Sequence, residues 1–208
     1  LAVRYSAPRL EQWFAGAERV RVVNQTGRPI LVGTRSVADS EILSELFTEM
    51  NINHGLLNAR QNEAEAEVIG LAGQPFRVTI ATNMAGRGTD IAIDELALEA
   101  GGLHVIATEF HEAARIDRQL FGRAARQGDA GSCEVYASLE DSLVRQNAGW
   151  LIRNIVKYFG SRYPQRVGNF VLRRLQKKVE KTHSNIRASL LESDEQLENL
   201  LAFSGTKQ

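Results

Sequence analysis

The chain has 208 residues, 25 Lys plus Arg, 25 Asp plus Glu and 43% apolar residues, enough for one domain with a buried core and a helical appendage. Zero net charge excludes whole-molecule attraction to nucleic acid or membrane, so any such attraction is local. The single cysteine, Cys133, excludes an intrachain disulfide and fits a reducing compartment, with the cytosol the default.

No apolar run reaches the ~20 residues of a membrane span, and residues 1–10 carry Arg4, Pro8 and Arg9 rather than an export signal. The leucine start fits loss of an upstream part. Short apolar runs then alternate with stretches of helical period, the pattern of a parallel sheet with crossover helices. Strands are predicted at Ile30–Thr34, Gly55–Ala59, Val78–Thr82, Leu103–Thr108 and Glu134–Ser138. Ile42, Leu43, Leu46, Phe47 and Met50 recur at helical spacing, and Ser36 followed by Asp39 offers a capping box or a variant of one. Asn62–Leu71 and His111–Arg126 also suit helices, the second broken near Gly122.

After Leu143 glycine thins out and strand signals stop. Val167, Val171, Leu175, Val179, Ile186, Leu190, Leu197 and Leu201 mark a long helix whose stripe needs a partner, partly in this domain and partly outside it. Between Leu151 and Leu191 ten basic residues face one acid, Glu180, a local charge of about +9. The division expected is an α/β domain over 1–145 and a helical segment over 146–208.

Three loops follow predicted strands, where open parallel sheets make their ligand contacts. In Gly33-Thr34-Arg35-Ser36 the hydroxyls are better read as helix caps. In Met84-Ala85-Gly86-Arg87-Gly88-Thr89-Asp90, two glycines let the backbone turn and present a guanidinium suited to phosphate, with Asp90 free to accept from a ribose or to pair with Arg87. In Gln119–Asp129, a helix would place Arg123 and Arg126 on one face, converging on a polyanion unless they are simply solvated. His111-Glu112 lacks the second histidine of a zinc-protease helix, and no G-x-x-x-x-G-K-[ST] occurs. His54, His104 and His183 read as structural.

The runs VTIATNMAGRGTDI (78–91) and GGLHVIATEFHEAARIDRQLFGRAARQGDAGS (101–132) resemble the second nucleotide-binding domain of the SecA preprotein translocase ATPase family. Gly33–Ser36, Leu57-Asn58-Ala59 and Ser138–Asp141 resemble it in the same order, and 175–192 resembles the start of its helical scaffold. The resemblance implies a RecA-like fold of the superfamily 2 helicase C-terminal type, flanked by helices and followed by a long helix. It implies ATP or ADP with Mg²⁺ clamped against a first nucleotide-binding domain that carries the Walker motifs and the metal ligands. Arg126 would be the principal finger on the γ-phosphate with Arg123 beside it; Asp90, Gly86 and Gly88 would line the nucleotide. Arg87 would couple the cleft to closure, and Gln127 and Gly128 would position water or the finger turn.

Preprotein and a membrane channel would be the partners, at the inner face of the cytoplasmic membrane, with anionic lipid met through the basic 151–191 stretch. This chain alone would be inactive. Two departures stand beside the cleft: Ala125 where the family carries a glycine, and Phe110 where it carries an arginine. With its helical part ending at Gln208, the chain is expected to be either a fragment or a divergent, shortened member. The alternatives are a superfamily 2 nucleic-acid helicase domain, against which the basic stretch argues by lacking interleaved aromatics beyond Tyr158, Phe159, Tyr163 and Phe170, which read better as packing, and a non-catalytic scaffold.

Overall fold

The apolar runs 30–34, 78–82 and 103–107 are buried at every position because their strands are covered on both faces, as a parallel sheet between helical layers demands. A computed structural model describes residues 2–6, 9–58, 65–82, 90–159 and 162–204. Among the described residues six strands occur: β1 (Ala2–Ser6), β2 (Ile30–Thr34), β3 (Gly55–Leu57), β4 (Val78–Thr82), β5 (Leu103–Ala107) and β6 (Gly131–Ser138). They form one all-parallel sheet in the order β1-β6-β5-β2-β4-β3.

Alternation sorts the side chains. Ile30, Val32, Val78, Ile80, Ile106 and Tyr136 face one layer, made by α1 (Arg9–Asn24) and α2 (Val37–Glu49) through Trp13, Val20, Leu43 and Phe47. Leu31, Leu57, Val105, Val135 and Ala137 face the other, which includes α3 (Glu65–Leu71), α5 (Ala114–Phe121), α6 (Ser142–Asn147) and α8 (Pro164–Ser204). Two further helices are α4 (Glu95–Glu99) and α7 (Trp150–Phe159); Ile152 and Ile155 of α7 pack against the second layer, while Tyr158, Phe159, Tyr163 and Phe170, expected to pack, are exposed.

The predicted bounds shift in places. β6 begins at Gly131 rather than Glu134, and β5 ends at Ala107. The helix predicted from Asn62 is described from Glu65; residues 62–64 and the predicted strand end at Ala59 lie outside the described residues. β1 and α1 have no counterpart in the sequence reading: β1 is an edge strand, registered on β6 from Ala2↔Glu134 to Ser6↔Ser138.

The long helix is as expected, 41 residues and about 60 Å long. Val167, Val171, Leu172, Leu175 and Val179 bury into the sheet's own core, each contributing about 1.5–3 kcal/mol where fully buried. Every described position from Lys181 to Asp194 is exposed. No described helix is long and apolar enough to cross a membrane.

Candidate nucleotide-facing site

The C-terminal ends of the strands carry a dense polar network. Ser36 N-caps α2: its hydroxyl accepts from the Asp39 amide at 3.0 Å and donates to Asp39 Oδ2 at 2.7 Å, the variant capping box expected. Arg9 Nη2 donates to Asp39 Oδ1 at 2.7 Å and to Glu109 Oε1 at 3.3 Å, with Asp141 Oδ1 at 3.9 Å from its Nε. Asp141 also accepts from the Ser138 amide at 2.8 Å. Burial, then the neighbouring Glu109 carboxylate, pushes Asp141 well above the usual carboxylate range, against the pull of Arg9. Burial likewise raises Glu109. Arg35, from the first predicted loop, is held by Ser142 Oγ at 2.6 Å and Glu112 Oε1 at 2.5 Å, so that loop serves to tie β2 to its neighbours.

Two arginines stand together beyond α5. The helix ends at Phe121 with Gly122 as its C-cap, so Arg123 stands in a turn and Arg126 opens a 3₁₀ turn over Arg126–Gly128. The expectation that both arginines share one helix face is therefore corrected; the turn brings them together instead. Two glycines shape it: Gly128 adopts φ +91°, and a Cβ on Gly131 would overlap the carbonyl of Ala124. Ala125, the first departure, has φ −143° and ψ 60°, outside the left-handed region that would call for glycine. Phe110, the second, packs against the sheet core.

Arg126 Nη1 donates to Asp90 Oδ1, so Asp90 and Arg126, predicted on separate loops, meet. With 40% and 54% of their side chains exposed, this pair contributes at most about 1 kcal/mol and exchanges readily for another anion. Burial, reinforced by the Arg126 charge, lowers the pKa of Arg123 from its usual value. Both arginines edge a cavity of about 310 Å³ between the C-terminal end of α5 and the face of β2, β4 and β3. Thr79, Thr82 and Gln119 line it with Leu31, Leu57 and Ile91; the buried Thr79 hydroxyl has no protein partner among the described residues. Sequence reasoning placed Thr79 and Gln119 inside the runs 78–91 and 119–129 and gave neither a role, since one lies within a strand and the other within a helix. Gly86, Arg87 and Gly88 lie outside the described residues, as does the side chain of Gln127.

Of the histidines, His54 is held by Ser44 Oγ at 2.7 Å and the Ile52 carbonyl at 2.8 Å, and His104 by Ser132 Oγ at 2.7 Å. His111, whose surroundings in sequence fail the zinc-protease pattern, lies buried with Nδ1 at 2.7 Å from Asp117 Oδ1.

Comparison with known proteins places this geometry. The SecA P-loop domain family matches residues 7–98 and 94–162. The chain is 44% identical over 207 residues to the protein translocase subunit SecA 2 of Nitrosospira multiformis, covering 99% of this chain and 31% of that protein. It is 47% identical over 189 residues to the SecA subunit of Parabacteroides distasonis, covering 89% of this chain and 17% of that one. The chain thus spans less than a third of these relatives. Among solved structures, the Escherichia coli DEAD-box protein SrmB, bound to regulator of ribonuclease activity A, superposes at TM-score 0.55 with 23% identity, over 69% of this chain and 80% of that one. Mss116p DEAD-box helicase domain 2, bound to an RNA duplex, does so at 0.53 with 16% identity, over 76% and 59%. These likenesses carry the fold alone, a RecA-like parallel sheet with flanking helices, and the matched family carries the kinship: this chain belongs to the SecA P-loop domain family.

Proposed function

We propose that this chain is the finger-donating half of a SecA-type ATPase, completing an ATP site whose Walker motifs lie in a first nucleotide-binding domain. The observation that carries it is the meeting of Arg126 with Asp90, beside Arg123, at the mouth of the cavity. Before closure Asp90 holds Arg126 in an exposed, exchangeable pair. When the domains close on ATP, the γ-phosphate offers the guanidinium a more highly charged acceptor, and Arg126 moves onto it while Arg123 supports from its partly desolvated position. A cation delivered there spreads over the equatorial oxygens as charge develops, an effect worth about 10³–10⁵ in rate for arginine fingers elsewhere.

The guanidinium donors fit ATP or ADP phosphates. Mg²⁺ would neutralise phosphate charge, with its ligands supplied by the first nucleotide-binding domain. By kinship the work driven is preprotein translocation through a membrane channel, performed from the cytoplasmic face. The exposed bases Arg173, Arg174, Lys177, Lys178, Lys181 and Arg187 on α8 suit anionic lipid headgroups.

The test is steady-state ATP turnover by a separately made Walker-containing half, with and without this chain. Turnover rising on mixing, from a chain inactive alone, supports the reading. Nucleotide bound by the partner half with no rise on mixing favours the scaffold alternative, and salt-sensitive capture of single-stranded oligonucleotides favours the helicase one.

A further inference from the structure

The helix that leads to the fingers does not cap itself. Ala113, at the N-cap of α5, offers no side-chain acceptor; its carbonyl meets the Ile116 amide at 2.9 Å, and the Ala114 amide is met from outside the helix. That acceptor comes from α8. Glu180 Oε1 accepts from the Ala114 amide at 2.6 Å. One turn earlier, Gln176 Nε2 donates to the His111 carbonyl at 2.9 Å and to Asp117 Oδ2 at 2.7 Å. Asp117 in turn accepts from the His111 amide at 3.0 Å, so the turn entering α5 is closed on itself and pinned to α8. His111 and Asp117 are buried, 5% and 4% exposed, which makes this a fixed joint and not a surface contact.

Its position along α8 matters. Leu175 and Val179 are the last apolar residues of α8 in the core, and from Lys181 to Asp194 every described residue is exposed. Gln176 and Glu180 therefore sit where the long helix leaves the body. At the other end, α5 is only eight residues, about 12 Å, and the finger turn begins directly after it. A short hydrogen-bonded helix moves as a unit, so displacement of its first turn is delivered to Arg123 and Arg126.

Resting on the ATPase reading above, we infer that Glu180 and Gln176 are positioning residues for the fingers: α8 holds the first turn of α5, and a load on the projecting part of α8 resets where Arg123 and Arg126 stand. The site is thereby coupled to whatever engages that helix, through two side chains that never touch nucleotide.

The experiment compares wild type, Glu180→Ala, Glu180→Gln and Arg126→Ala in two measurements. In the full chain, amide hydrogen exchange over 114–118 rises about tenfold in Glu180→Ala while exchange over β2, β4 and β5 stays at the wild-type rate, and Glu180→Gln, which keeps an acceptor oxygen, restores most of the protection. In the mixture with a Walker-containing half, Glu180→Ala lowers kcat about tenfold at unchanged KM for ATP, again with recovery in Glu180→Gln. Unchanged exchange over 114–118 in Glu180→Ala overturns the joint, whatever the enzymology shows. An unchanged kcat in Glu180→Ala, where Arg126→Ala abolishes turnover, overturns the positioning role and leaves the ATPase reading standing. No effect of Arg126→Ala refutes the ATPase reading itself and with it the role assigned to α8.

Discussion

His104 makes stability pH-dependent in a window that can be stated in advance. The ring is 1% exposed at the start of β5; its Nδ1 meets Ser132 Oγ at 2.7 Å, and its Nε2 is buried without a hydrogen-bond partner among the described residues. Burial holds its pKa down to about 4, from an ordinary 6.5, with the attraction of Glu134 unable to offset the loss of water. The folded state therefore binds this proton more weakly than the unfolded chain does. Above pH 6.5 both states are neutral and the histidine costs nothing. As pH falls below 6.5 the unfolded chain takes the proton first and stability is lost, until the folded state also titrates near 4. Between pH 8 and pH 5 the loss from this one group is about 2 kcal/mol. Urea unfolding of wild type and His104→Gln at both pH values isolates it, because the carboxylates titrate alike in the two proteins. The wild type should lose about 2 kcal/mol more than the variant over that interval. Equal losses would show that His104 is hydrated or protonated in the fold, and the burial argument would fail.

Two further perturbations test the network at the strand ends. Arg9→Met removes the guanidinium that faces Asp39, Glu109 and Asp141 and leaves two buried carboxyls without it; the expected loss is about 3 kcal/mol in chemical denaturation at pH 7, and a loss under 1 kcal/mol would contradict the pairing. Ser36→Ala removes the α2 cap and should cost about 1 kcal/mol, a fall in Tm of about 2–4 °C; an unchanged Tm would mean that the hydroxyl does not cap.

The strands were legible for a definite reason. Ile30–Thr34, Val78–Thr82 and Leu103–Ala107 are buried on both faces, so each reads as an unbroken apolar run bounded by turn residues. The α2 cap was legible because Ser36 and Asp39 are three apart and need nothing distant. Local pattern runs out at β1 and α1. Trp13, Ala17, Val20 and Val23 make a stripe, but exposed Phe14 and Val22 blur it, and β1 exists only by pairing with β6 more than a hundred residues away. Arg123 and Arg126 were legible as a pair, whereas their turn was not, since it depends on Gly131 meeting the Ala124 carbonyl. Glu180 looked like the lone acid of a basic helix. Its partner, the Ala114 amide, lies 66 residues away, and no spacing rule points to it.

In the proposed motor Arg126 acts on the transition state and not on nucleotide binding. Single-turnover ATP hydrolysis and nucleotide affinity, both measured for wild type and Arg126→Ala in the mixture with a Walker-containing half, separate the two. Hydrolysis should fall by about 10³ or more while affinity changes by no more than a few fold. Hydrolysis retained within about tenfold of wild type, or lost only in proportion to nucleotide binding, would contradict that role.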